Sequence, residues 1–257
     1  MDLHSLKTVE EILEKHNSKA KKSFSQNFLV SEEALNRIIE TADISPTDKI
    51  IEVGPGLGVL TNELVKKAKE VTSIELDSKI IPILKENVSA PNLTILNQDA
   101  LDYDPPTGEY KVVANIPYNI TSPLLNHFLQ AENPPTTMTL LVQKEVAEKM
   151  CLLKKNKTSI LSLQVALFST PQYIETVTKD CFHPSPKVDS AIIHLTVHNK
   201  IPKESALKVL KIAKQAFSHR RKKLSNTILH DRTTSIDGTR RPETLTIEEW
   251  LTLEKEL

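Results

Sequence analysis

Three of the five glycines in these 257 residues fall in one stretch, Ile51-Glu52-Val53-Gly54-Pro55-Gly56-Leu57-Gly58. Before it, Lys49-Ile50-Ile51-Glu52-Val53 is apolar enough for a buried strand; after it, Val59–Lys67 carries apolar residues at helical spacing. Strand, glycine turn and helix open a nucleotide-binding α/β unit, so this stretch commits the chain to an α/β fold. The spacing is G-x-G-x-G and not the dinucleotide G-x-G-x-x-G, and Glu52 precedes it. A carboxylate at that point repels a pyrophosphate but suits an ammonium group. The turn therefore points to S-adenosylmethionine over NAD, beside the plainer reading of a glycine turn alone.

The following strand ends extend this reading. Val71–Asp77 is a short alternating run ending in acids, and Glu75 lies about 20 residues past Gly54, where a carboxylate accepts from ribose hydroxyls. Asp77 is expected to be structural, capping a helix that starts near Ser78 and runs over Ile80–Asn87. The strand Leu93–Asn97 leads into Gln98-Asp99-Ala100-Leu101, placing Asp99 to accept from an adenine amine and Leu101 to pack on its ring. The apolar run Tyr110–Ala114 ends in Asn115-Ile116-Pro117-Tyr118. Ligands of open α/β sheets sit at the carboxyl ends of the strands, so Gly54, Glu75, Asp99 and Asn115 should share one crevice.

Asn115-Ile116-Pro117-Tyr118 suits methylation of an exocyclic base amine, a poor nucleophile whose lone pair is delocalised into the ring. The Asn115 side-chain oxygen and the Ile116 carbonyl, aimed at the amine hydrogens, would free that lone pair. Pro117 fixes one dihedral, and Tyr118 offers a face on which a flipped base can stack. By itself the tetrapeptide also reads as a strand-to-loop turn.

Taken together these segments resemble the KsgA-type ribosomal RNA adenine dimethyltransferases. Lys22-Ser23-Phe24-Ser25-Gln26-Asn27-Phe28-Leu29, the glycine stretch, Ile74–Asp77, Gln98–Ala100, Asn115–Ile120, Leu141–Val146, Phe182–Ser190 and Ala216–Leu224 all match, covering nearly the whole chain. The resemblance implies a Rossmann-like S-adenosylmethionine-dependent methyltransferase domain with a smaller C-terminal helical domain. It implies dimethylation of N6 on two adjacent adenosines near the 3′ end of 16S rRNA in an assembling 30S particle, in ribosome biogenesis. By the same resemblance Asn27 and Leu29, with Gln26 in support, contact the cofactor; Gly54 and Gly56 flank it; Glu75 holds the ribose; Asp99 and Leu101 hold the adenine. Asn115 serves both substrates, and Phe182 closes the base sandwich opposite Tyr118. No metal and no covalent intermediate are implied, and S-adenosylhomocysteine is the product. Ser159 stands where relatives often have Gly, which leaves the local backbone there open.

Lys+Arg and Asp+Glu are both 33, so the formal charge is zero. The charge is uneven: Lys200, Lys203, Lys208, Lys211, Lys214, Arg220, Arg221, Lys222, Lys223 and Arg232 face only Glu204 and Asp231 in that segment. Phosphate contacts need a local field. Arg220, Arg221, Lys222 and Lys223 are thus expected on RNA, against a solvated helix face. Lys21 and Lys22 are expected to guide RNA from a flexible basic arm over residues 1–22. The methyltransferase domain is expected over 23–198, ending in period-2 strands at Gln172–Thr178 and Lys187–Val197 whose connecting loop brings Phe182 over the site. A small helical RNA-binding domain follows over 199–257, with helices at Ala206–Ala213 and Leu245–Leu251, Thr246 as a cap and Trp250 in the core.

Cys151 and Cys181 have no metal spacing and read as reduced thiols. No apolar run is long enough to span a bilayer, so a cytoplasmic monomer without membrane contact is expected. Two alternatives stay open: a large-subunit adenine methylase of the macrolide-resistance type, and a non-catalytic ribosome-assembly factor.

Overall fold

The computed structural model describes residues 2–21, 26–152, 157–219, 221–230 and 232–257. The expected RNA contacts Lys22 and Arg220, and Ser23–Ser25 of the first motif, lie outside these residues. The chain divides into two compact units, one of Met1–Ala147 with Gln172–Thr196, the other of Glu148–Pro171 with Val197–Leu257.

The first unit is built on parallel strands: β2 (Lys49–Val53), β3 (Glu70–Glu75), β4 (Leu93–Asn97), β5 (Lys111–Asn115) and β6 (Thr137–Gln143). The sheet order is β4-β3-β2-β5-β6-β9-β7, where β9 (Ser190–Val197) runs antiparallel to β6 and β7 is Ser169–Val177. In β5, Val112, Val113 and Ala114 are all buried, the signature of a parallel strand covered on both faces. Crossover helices α3 (Val59–Lys67), α4 (Ile81–Asn87) and α5 (Thr121–Leu129) follow β2, β3 and β5, where the sequence spacing puts the first two, and the short helix α6 (Lys144–Met150) follows β6.

The first 22 residues are not simply an arm. Helix α1 (Leu6–Lys15) buries Val9, Ile12 and Leu13 on one stripe, which joins the core built by Ile38, Leu64 and Leu84. Helix α2 (Glu32–Ala42) is capped by the Ser31 hydroxyl and ends at Asp43 in the left-handed conformation. Between them β1 (Phe28–Leu29) pairs antiparallel with β8 (Phe182–His183), Leu29 opposite Phe182.

The second unit takes residues on both sides of the expected boundary at 198. Helix α7 (Ile160–Phe168) is apolar nearly all round, burying Leu163, Val165, Leu167 and Phe168, and packs with α8 (Lys203–Phe217) and α9 (Ile247–Glu256). Its own periodicity cannot show which unit it completes. Ser159 is its N-cap in ordinary extended conformation and forms a capping box with Ser162, so no glycine is needed there. Thr246 caps α9 through a second capping box with Glu249. Trp250 is fully buried and stacks on Phe217, ring centroids 5.9 Å apart. Thr233–Arg241 carries neither helix nor strand.

Candidate functional site

The carboxyl ends of four adjacent strands converge on one pocket in the first unit, lined among others by Gly54, Glu75, Asp99 and Asn115. Gln26–Leu29 form a further wall. The glycine loop holds the walls together by close approach. A Cβ on Gly54 would lie 3.2 Å from Pro117 Cδ, and one on Gly56 3.2 Å from Phe28 Cε1; both glycines have positive φ. The tetrapeptide and the amino-terminal segment are therefore fitted against the same bare backbone.

Glu52, next to last in β2, is almost wholly buried. Its Oε2 accepts from the hydroxyls of Thr61 (2.7 Å) and Ser73 (2.6 Å), while Oε1 has no hydrogen-bond partner among the described residues. Burial pushes this carboxyl up to about 7, the two hydroxyls opposing and the nearby Glu75 reinforcing the shift. Glu75, at the end of β3, is oriented by main-chain amides: Gly56 donates to Oε2 at 3.2 Å and Asp77 to Oε1 at 2.9 Å. Burial raises its carboxyl above the usual range even so. Past β4, Asp99 Oδ1 accepts from the amide of Leu101 at 2.9 Å.

Asn115 ends β5, and its side-chain amide donates to the Asn27 carbonyl at 3.4 Å. That contact leaves Oδ1 an acceptor without a hydrogen-bond partner among the described residues. Ile116 is held by its amide on the Leu141 carbonyl at 3.2 Å, across the β5–β6 pair. Tyr118 starts a short 3-10 turn, and its hydroxyl lies 2.6 Å from that of Ser190, which is fully buried on β9. Burial raises the Tyr118 phenol above its ordinary value, so the ring stays neutral.

Three expected contacts fall elsewhere. Leu101 does not line the pocket, because its amide folds back on Asp99; Ala100 takes the wall position. Phe182 is buried on β8 against β1 rather than held on a loop over the pocket, and is absent from its lining. Lys21, expected on RNA, donates to Asp77 Oδ1 at 2.8 Å. Asp77 is structural as expected: its Oδ1 accepts from the Lys79 amide at 3.1 Å ahead of α4. Two contributors were not foreseen. Leu76 lines the pocket with half its surface exposed; an apolar residue just past a strand-end acid is the signal. Ser190 closes Phe182–Ser190 without a role visible in sequence. In the second unit Arg221, Lys222 and Lys223 are exposed and form no salt bridge among the described residues.

The profile of the ribosomal RNA adenine dimethylase family matches residues 17–257. The "Ribosomal RNA small subunit methyltransferase A" of Dehalococcoides mccartyi is 39% identical over 93% of this chain and 89% of its own, and that of Alkaliphilus oremlandii 37% over 96% and 95%. Among solved structures, the 23S rRNA methyltransferase ErmE superposes with a TM-score of 0.75 at 30% identity, over 90% of this chain and 99% of its own. A dimethyladenosine transferase from Plasmodium falciparum gives 0.73 at 27%, over 88% and 95%. With a match spanning almost its full length and a Rossmann-like fold shared with these methyltransferases, the chain belongs to the ribosomal RNA adenine dimethylase family.

Proposed function

We propose that this chain transfers methyl groups from S-adenosylmethionine to N6 of two adjacent adenosines near the 3′ end of small-subunit (16S) rRNA, four transfers in all, on an assembling 30S particle. The family and its full-length relatives make it an S-adenosylmethionine-dependent rRNA methyltransferase. The observation that supports transfer to an exocyclic amine is Asn115, whose amide nitrogen is occupied by Asn27 while Oδ1 lies beside the strand-end carboxylates; the small-subunit target is supported by the full-length relatives named for that subunit.

The pocket fits the cofactor on its own donor set. Glu52 Oε1, buried and unpartnered, is the acceptor an ammonium group requires. Glu75 would hold the ribose hydroxyls, Asp99 the adenine amine, and exposed Leu76 the ring face. Gly54 and Gly56 leave room for close backbone approach, and Gln26, Asn27 and Leu29 complete the wall. The cofactor supplies a methyl group on an electrophilic sulfonium. Asn115 Oδ1 and the Ile116 carbonyl would accept the two amine hydrogens of the target adenine, localising its lone pair in a site that needs no reorganisation. Pro117 sets the turn, and Tyr118 presents its neutral face to the flipped base. The surplus proton of the methylated amine leaves to water, so no strong base is required.

We assign RNA binding to Arg221, Lys222 and Lys223 with Arg220 and Lys22, and the catalytic and RNA-binding divisions to 23–198 and 199–257. A monomer acting in the cytoplasm, where the particle is built, is the corresponding reading. No helix among the described residues is long and apolar enough to cross a membrane.

The test is labelled methyl transfer to unmethylated small subunits, large subunits and naked rRNA in parallel, with modified nucleosides identified by mass. Dimethyladenosine confined to small-subunit RNA is expected. Label in large-subunit RNA would move the chain to the resistance-type branch, which the likeness to ErmE keeps in view; no label at all would favour an assembly factor. In the same assay Asn115→Ala should lose about 10²–10³ in kcat, the usual cost of one preorganised group.

A further inference from the structure

We infer that Lys21, Gln26 and Asp77 form a clamp that sets the cofactor affinity of the pocket, so that Lys21 is a positioning residue of the cofactor site and not an RNA contact. The inference rests on the reading of Glu75 as the ribose ligand. Asp77 is only 3% exposed, yet its carboxylate collects three donors from two parts of the chain. Lys21 Nζ lies 2.8 Å from Oδ1 and 2.7 Å from Oδ2, Gln26 Nε2 donates to Oδ2 at 3.2 Å, and the Lys79 amide to Oδ1 at 3.1 Å. Residues 21 and 26 are also joined directly: the Lys21 amide donates to Gln26 Oε1 at 2.8 Å, and the Gln26 amide to the Lys21 carbonyl at 3.3 Å.

The clamp reaches both functional ends of the pocket. Outward from Asp77, its own amide is one of the two that aim the Glu75 carboxylate. Outward from Gln26, the next residue gives the carbonyl that holds the Asn115 amide, and the one after packs Phe28 on Gly56. Lys21 has a second, electrostatic task. Asp77 and Glu75 are neighbouring buried carboxylates, the charge of Asp77 helping to raise the Glu75 carboxyl, and Lys21 is the cation paired with Asp77. Burial acts to raise the Asp77 carboxyl, yet the bonds from Lys21, the Lys79 amide and Gln26 hold it below its ordinary value. A solvated surface pair would contribute little, but here the acid side chain is 4% exposed and the lysine 33%. A charge-assisted bond to a desolvated partner is among the stronger kinds.

The experiment is calorimetric titration of S-adenosylmethionine into wild type, Lys21→Met, Lys21→Arg, Asp77→Asn and Glu75→Ala, beside RNA binding over a salt series. Lys21→Met should bind the cofactor about tenfold more weakly, within the usual range for coupling through a contact network. It should keep the slope of log affinity against log salt. Lys21→Arg should restore most of the affinity. In the Lys21→Met background Asp77→Asn should cost less than it does alone, which separates a shared clamp from two independent defects. Unchanged cofactor affinity in Lys21→Met overturns the clamp, as does a salt slope shallower by about 0.9, the mark of one lost phosphate contact. Loss in Glu75→Ala without loss in Lys21→Met overturns the clamp alone; no loss in either overturns the ribose assignment with it. Melting curves identify a variant that fails to fold, and Lys21→Met, on a partly exposed side chain, is the one least exposed to that outcome.

Discussion

At the scale of single residues, the site depends on side chains whose partners lie far off in sequence. Tyr118 and Ser190 are the clearest pair. A hydroxyl contact of 2.6 Å to a fully buried serine fixes the ring plane on which a base would stack. Removing one neutral hydrogen bond typically costs about 0.5–1.5 kcal/mol. Ser190→Ala should thus lower kcat by up to about tenfold with cofactor affinity unchanged, and adding Tyr118→Phe should cost nothing further; additive losses in the double variant would place Ser190 outside this pathway. Glu52 gives a pH signature. Its carboxyl moves from 4.5 to about 7 on folding, so the folded state binds the proton more tightly than the unfolded chain. The stability it contributes is fully present below about 4.5 and disappears as pH rises through about 7. Melting temperatures of the cofactor-free protein should therefore fall over that window, and Glu52→Gln should flatten the fall; identical profiles would show that Glu52 is ionised throughout. Glu75, Asp99 and Asn115 were legible in sequence because strand ends are predictable places. Leu76 was not, since an exposed apolar residue there looks like one more alternating strand position. Leu101 misled because a side chain two residues earlier captures its amide and redirects the turn.

At the scale of elements, periodicity located most of the parallel strands well. Lys49–Val53 and Leu93–Asn97 have their expected bounds, and β3 and β5 shift by a residue or a few. It missed the parallel strand β6, a continuously buried run with no alternation, and β1 and β8, each two residues long, too short to carry a period and defined only by pairing with each other. That pairing turns Phe182 inward, where a loop had been expected. Helix α1 was hidden by the basic residues that follow it, although its apolar stripe was present. The glycine loop is where element packing and function coincide. Gly56 has φ +56° and stands 3.2 Å from Phe28 at its missing Cβ. Gly56→Ala should cost about 1–2 kcal/mol from the left-handed backbone alone, with more from displacement of Phe28. Chemical denaturation gives the first quantity, and cofactor titration should show weakened binding; an affinity equal to wild type would mean that the β1 wall tolerates movement.

At the scale of the whole molecule, the two compact units are interleaved along the chain, which no local pattern announces. A boundary near 198 was legible because composition shifts to lysine-rich helix there. The share of α7 in the second unit was not, since only its packing with α8 and α9 reveals it. A fragment ending at residue 198 would keep Leu163, Val165, Leu167 and Phe168 but lack α8 and α9, which they pack against. Such a fragment should aggregate or melt well below the intact chain by light scattering and calorimetry; a soluble fragment of native stability would show that α7 needs no partner.

The tie between Tyr118 and Ser190 also bears on how the protein comes off the ribosome. Residues 26–120, which line the pocket, are synthesised first, but the strand carrying Ser190 appears only after the whole stretch 148–171 has been made. A nascent chain paused before that strand can hold the glycine turn and the strand-end acids while its tyrosine ring has nothing to rest against. The support for the Tyr118 ring is therefore the last part of this site to be synthesised, arriving with β9 beside β6.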